Sequence, residues 1–180
     1  MPNWAFGEVK VTGTREGVKS FIERFVSSDE QSTIPGKRFF ARSFTHMTRE
    51  QSIKDALNEF EGKAVDAVLE HSFEAMFAWS VWSCVIDGYP QRNATECITL
   101  SEACVEDQVS VEICSSETGL CFEEHVTCDA EGNVDHTERD LIRCKCRNCG
   151  EISSFGSFED LDEAECLECG EYGFDRCEED

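Results

Sequence analysis

Proline is scarce in this 180-residue chain, at 3 residues, and glycine is modest at 12. Disordered and collagen-like chains are rich in both, so neither class fits. No apolar run approaches the ~18 residues needed to cross a bilayer, so no membrane-spanning helix is expected. The opening "MPNWAFGEVKV" has no basic region ahead of an apolar stretch and does not read as a secretory signal. Catalytic signatures are missing too. There is no Gly-rich phosphate loop, no His-Glu-x-x-His helix and no Gly-x-Ser-x-Gly elbow. The four histidines, His46, His71, His125 and His136, are scattered. Glu123 and Glu124 are neighbours on one predicted strand and point to opposite faces, so they cannot serve one substrate as paired acid and base. These absences lead to the expectation of a non-enzymatic, cytoplasmic protein.

Positive charge is the last shortage. Sixteen Lys and Arg stand against 38 Asp and Glu, a net charge of −22. Residues 1–63 carry 10 basic and 9 acidic residues, residues 64–143 carry 3 and 17, and residues 144–180 carry 3 and 12. Such acidity repels phosphate backbones, which disfavours nucleic acid as a partner of the C-terminal two thirds. An unidentified protein is the expected partner. The near-neutral N-terminal region leaves one alternative, nucleic-acid contact through Lys10, Lys19, Arg24, Lys37, Arg38 and Arg42, which requires a contiguous basic patch.

Cysteine, by contrast, is abundant at 12. In an intracellular chain these read as thiols and metal ligands before disulfides. Cys146 and Cys149 form one Cys-x-x-Cys pair, and Cys166 and Cys169 form another after 16 intervening residues. This is zinc-site spacing. A Cys-x-x-Cys knuckle aims two sulfurs at one point, and Gly150 and Gly170 follow where the turn calls for positive φ. Four thiolates close a tetrahedron that suits a structural Zn²⁺. Rubredoxin-like iron uses the same knuckles and is the rival metal. A catalytic zinc needs an open position, and a redox dithiol needs a thioredoxin-like βαβ setting; neither is present. Ile152, Phe155, Phe158, Leu161 and Leu167 are expected to cover the site. Cys144 reads as a spare thiol, and Cys177 as part of a frayed acidic tail.

Upstream, Cys104 and Cys128 read as small buried hydrophobes. Cys114 and Cys121 flank a predicted hairpin turn, placed to face each other. Cys84 and Cys97 carry no assigned role. A second metal site using some of these with His125 lacks knuckle spacing, so packing is preferred. Trp79 and Trp82 read as core residues.

Periodicity predicts the elements. Trp4–Gly13 alternates as a strand. Thr14 caps a helix whose Val18, Phe21, Ile22 and Phe25 share one face. Arg38–Thr45 is a second strand. Thr48 and Gln51, then Thr99 and Glu102, fit capping boxes ahead of two further helices. Ser72–Ser80 is a buried strand, and Val109–Val134 holds a hairpin with Val111, Ile113, Phe122, Val126 and Cys128 inward. A further strand near Asp135–Arg143 leads into the cysteine pairs. The class is α+β, a ferredoxin-like sandwich with helices on one face of an antiparallel sheet, over residues 1–140, followed by a zinc ribbon over residues 141–180.

The opening Met1-Pro2-Asn3-Trp4, the alternating strand, Gly13 and the helix after it resemble the start of the YubB-type ferredoxin-like domain of plasmid- and phage-associated bacterial proteins. "FAWSVWSCVIDGYP" is similar to that family's Trp-Ser segment, and Glu117, Gly119 and Phe122 to its hairpin. Ala5 departs from the Cys or aromatic found after the Trp. The likeness covers residues 1–135 and leaves out the cysteine pairs. It implies a ferredoxin-like fold and a mobile-element setting, with no iron–sulfur cluster and no catalytic residue.

Overall fold

The structure is a computed structural model that describes residues 3–27, 34–86, 97–119, 121–156 and 160–177. Its central element is β1 (Trp4–Thr14), where Ala5, Val9 and Val11 are buried and the residues between them are not. Period-two alternation turns one side of a strand inward. β1 pairs antiparallel along its whole length with β4 (Val68–Ala78), setting Ala5 against Phe77 and Val9 against Phe73. On its other edge it pairs antiparallel with β5 (Ser110–Glu117), setting Val9 against Ile113 and Val11 against Val111.

The remaining strands extend this core. β2 (Val26–Ser27) and β3 (Ser43–Thr45) are short and parallel, and β3 joins β4 antiparallel. β6 (Phe122–Cys128) and β7 (Val134–Asp140) follow β5 as an antiparallel meander. The sheet order is β2-β3-β4-β1-β5-β6-β7. β3 therefore runs parallel to β1 with β4 between them, and β5 runs parallel to β4 with β1 between them.

Three helices cover the inward face. α1 (Arg15–Ile22) is capped by Thr14, whose hydroxyl accepts the Gly17 N–H at 3.3 Å. Its expected stripe is buried, but the helix stops at Ile22. Arg24 and Phe25 donate to carbonyls three residues back, at 3.0 and 3.1 Å, which tightens the chain and seats Phe25 in the turn beyond. Phe25 then meets Phe40, Phe73 and Phe77 edge-on, at centroid separations of 5.0, 5.2 and 6.3 Å. α2 (Arg49–Glu59) is capped by Thr48, which accepts the Gln51 N–H at 3.2 Å; the Gln51 side chain completes no box, and its amide donates forward to Asp55 at 2.7 Å. α3 (Leu100–Asp107) has the full Thr99–Glu102 box.

Three expectations change. The strand foreseen over Arg38–Thr45 shrinks to β3, and Phe39 bridges Cys97 instead. β4 begins earlier than expected, at Val68. The segment after it forms a π-helical turn, Trp82–Ile86, on which Trp82 is 44% exposed; Trp79, at 41%, is also exposed. Neither tryptophan is a core residue. Trp82 instead lies against His136, ring centroids 4.8 Å apart. The α+β class with a mainly antiparallel sheet is observed, and no helix among the described residues is long and apolar enough to cross a membrane.

Buried charge ties the turn after α1 to α3. The Arg24 guanidinium is 3% exposed and donates to Asp107 at 2.8 Å and to Glu106 at 2.9 Å. Removing one partner of a buried pair strands the other charge, at a cost of about 3–5 kcal/mol, while exposed pairs contribute about 0–1 kcal/mol. Asp107→Ala is therefore expected to lower unfolding free energy by about 3–5 kcal/mol in a urea titration. Arg38→Ala, which removes a surface partner of Glu102 and Glu106, is expected to change it by less than about 1 kcal/mol.

Candidate metal centre

Immediately after β7 the chain enters a second, three-stranded sheet. β8 (Ile142–Cys146) lies at its centre, antiparallel to β9 (Ile152–Phe155) on one edge and β10 (Phe174–Arg176) on the other. Cys144 and Cys146 alternate with exposed Arg143 and Lys145, so both face inward.

Each cysteine pair sits on the same backbone turn. Cys146 N–H donates to Glu151 O at 2.8 Å, and Gly150 N–H donates back to Cys146 O at 3.1 Å. Cys166 and Glu171 repeat the first bond at 2.8 Å, and Gly170 and Cys166 repeat the second at 2.7 Å. The turn closes only if the residue after the second cysteine takes a left-handed conformation; Gly150 has φ 79° and Gly170 φ 71°. A side chain there costs roughly 1–2 kcal/mol, which is why glycine follows both pairs.

The two turns bring all four thiols together, with their sulfurs within 4.8 Å of one another. Cys146 Sγ lies 3.8 Å from Cys169 Sγ, and Cys149 Sγ lies 3.6 Å from Cys166 Sγ. A tetrahedral ion with metal–sulfur bonds of about 2.3 Å sets its sulfurs about 3.8 Å apart. Two of the six sulfur–sulfur edges thus already match a tetrahedral metal, and the remaining ones lie within 4.8 Å. Backbone dipoles favour ligand anions. N–H groups of Cys149 and Asn148 donate to Cys146 and pull its thiol down to about 6, and the Glu171 N–H lowers Cys169. Cys149 also receives an N–H, from Glu151, but local desolvation and the other three thiols push it to about 12. Some sulfurs are thus ready to ligate as thiolates, while the cluster of four resists full deprotonation until a cation joins it.

The expected cover of the site is partly corrected. Phe155 packs on Phe174, centroids 4.6 Å apart, and Leu161 joins the same cluster. Phe174, which nothing in the cysteine spacing singles out, is the fully buried member. Leu167 is 100% exposed on the second turn, and Ile152 faces solvent. Phe158 and Glu159 lie outside the described residues. Cys144 is buried beside the site but outside the four-sulfur group. Cys177 is no frayed thiol: it is half-buried, and its N–H donates to Arg143 O at 2.8 Å, continuing the β10 edge. Arg147 clamps the far side through Asp162 at 2.6 Å, Asp175 at 2.8 Å and Phe174 O at 3.1 Å.

In the larger sheet, Cys104 and Cys128 are buried as expected. Cys121 sits in the hairpin turn at φ 59°, and Cys114 pairs across the strands with His125, so the two cysteines do not face each other. Glu123 and Glu124 do take opposite faces. Glu124 was missed as a structural anchor: it is 1% exposed and accepts the Val81 and Trp82 N–H groups at 2.6 and 3.1 Å, with His136 Nε2 at 3.0 Å. It caps the π-helical turn.

No family model, no curated protein and no solved structure matches this chain. Fold and site define an α+β protein with a four-cysteine group able to hold a metal ion.

Loss of a ligand is expected to act differently from loss of a neighbouring thiol. Cys166→Ser is expected to weaken metal retention by more than the ~10–100-fold typical of losing an outer-shell partner. Cys144→Ser is expected to keep the wild-type metal content. Competition against a chromogenic chelator measures both.

Proposed function

We propose that this chain is a non-enzymatic protein-interaction or adaptor module whose ribbon is folded around one structural Zn²⁺ on Cys146, Cys149, Cys166 and Cys169. The observation that carries the metal assignment is the pair of sulfur–sulfur distances, 3.8 and 3.6 Å, across two matched turns. Four sulfur ligands leave no position for substrate, which favours a structural role over a catalytic one. The ribbon's buried cluster is four residues with a few half-buried neighbours, too small to hold such a fold unaided, so metal binding supplies the folding free energy.

The adaptor reading draws on what the ribbon exposes. Leu167, Tyr172 and Ile152 are open to solvent among Glu151, Glu163, Glu165, Glu168 and Glu171. Exposed apolar side chains on so acidic a segment suit a basic protein surface better than a polyanion. The nucleic-acid alternative is weaker because five of the six cations it rests on sit in ion pairs with carboxylates: Lys10 with Glu112, Lys19 and Lys37 with Glu23, Arg24 with Asp107, and Arg38 with Glu102.

For the larger sheet we infer a ferredoxin-like core of the YubB type. Two strand–helix–strand crossovers, each with an antiparallel strand inserted, support this, as does the order β3-β4-β1-β5. So does the meeting of segments that carry the resemblance: Trp79 N–H donates to Asn3 O at 2.8 Å. Pro2 lies outside the described residues. A bacterial, mobile-element origin and a cytoplasmic location belong to the same inference.

Metal analysis of protein from its native host tests the centre. About one zinc per chain and a colourless sample are expected; a red, redox-active iron form would establish the rubredoxin-like carrier instead. Chelation is expected to remove hydrogen-exchange protection from residues 142–155 and 160–177 while β1, β4 and β5 keep theirs. In-cell crosslinking with wild type and Leu167→Glu tests the adaptor role, with loss of the crosslinked partner expected in the variant.

A further inference from the structure

The exposed face of the larger sheet holds a second group of metal-ligand side chains. Cys114 on β5 stands directly across from His125 on β6. Glu112, two residues before Cys114, shares that face and reaches His125 Nε2 at 2.8 Å. One ligand atom from each of the three lies within 4.8 Å of the others. All three positions are fixed by the register of a paired strand interior, so the donors are held by ladder hydrogen bonds and not by a flexible loop.

We propose that Glu112, Cys114 and His125 form a second metal site for a borderline-soft divalent cation of the zinc type, with an exchangeable fourth position. The donor set selects the metal: thiolate and imidazole suit Zn²⁺ or Co²⁺, whereas Mg²⁺ and Ca²⁺ take all-oxygen sets. The ion replaces the proton shared by His125 Nε2 and the Glu112 carboxylate, with Cys114 Sγ as the third donor. Three protein ligands plus a water is the pattern of an open zinc site, unlike the closed tetrahedron in the ribbon. His125 and Glu112 are about half exposed, with side-chain exposures of 50% and 42%. That exposure leaves the fourth position open to solvent, and Glu112 also lines an adjoining groove of 480 Å³ with Lys10, Thr12, Glu70, Thr127 and Asp135. Lys10 pairs with Glu112 at 3.8 Å, and so exposed a pair is weak enough for a metal ion to displace. The neighbouring group Glu124, His136 and Glu138 is a poorer candidate: it has no sulfur, and Glu124 is engaged by two backbone N–H groups.

The test is zinc content of the full chain after equilibration with zinc and removal of free ion. About two zinc ions per chain are expected for wild type. His125→Gln and Cys114→Ser are each expected to lose one equivalent. His125 is exposed, so its variant separates metal loss from misfolding. Cys149→Ser is expected to lose the other equivalent, so failure of the ribbon centre is read independently. With Co²⁺ in the second site, a thiolate-to-metal charge-transfer band is expected that disappears in Cys114→Ser. Equal zinc content in wild type, His125→Gln and Cys114→Ser would overturn the proposal.

Discussion

The register of β1 between β4 and β5 is the constraint on which the larger sheet depends. Eleven consecutive β1 residues pair with β4, and seven of them also pair with β5. Slippage by one residue at either edge would turn Val9 and Val11 to solvent and bring Glu8 and Lys10 into the core. Because the register holds, Phe73, Phe77, Ile113 and Val126 line up on one side, and α1, α2 and α3 cover them. The same register sends Glu112, Cys114 and His125 to the opposite side. The packed face and the polar, donor-bearing face are two results of one alternation.

The ribbon rests on a different physical principle. It has few buried residues, and its strands are three to five residues long. Its organisation comes from two turns with the same hydrogen bonds and the same left-handed glycine. These bring four sulfurs within 4.8 Å of one another, two of the edges matching those of a tetrahedral cation site. Arg147 adds a charged clamp across Asp162 and Asp175, but the groups are exposed and their contribution to stability is small. The chain thus joins an apolar core that specifies its own fold to a short segment organised around ligand geometry.

Legibility in the sequence followed the range of the interaction. Local signals were readable. Thr14, Thr48 and Thr99 cap their helices, the alternation of β1 and the β5–β6 hairpin is where periodicity places it, and the four cysteines that the spacing singles out lie grouped together. Signals requiring a distant partner were not. Gln51 was read as closing a box, but in the formed helix its side-chain amide donates to Asp55, one turn on. Trp79 and Trp82 look like core residues by composition, yet the Glu124 carboxylate holds the turn that carries Trp82 at the surface beside His136. The buried pair of Arg24 and Asp107 spans 83 residues, and no local pattern announces it.

By itself the sequence determined the helix caps, the alternation of the strands and the two Cys-x-x-Cys turns, because each depends on residues within a turn or a strand of one another. The tertiary structure alone decided which strands are neighbours, that Phe174 closes the ribbon, and that Cys114 faces His125 and not Cys121. Those outcomes depend on strand order and register. These are set by burial of the whole apolar face at once, a collective term that no short segment contains.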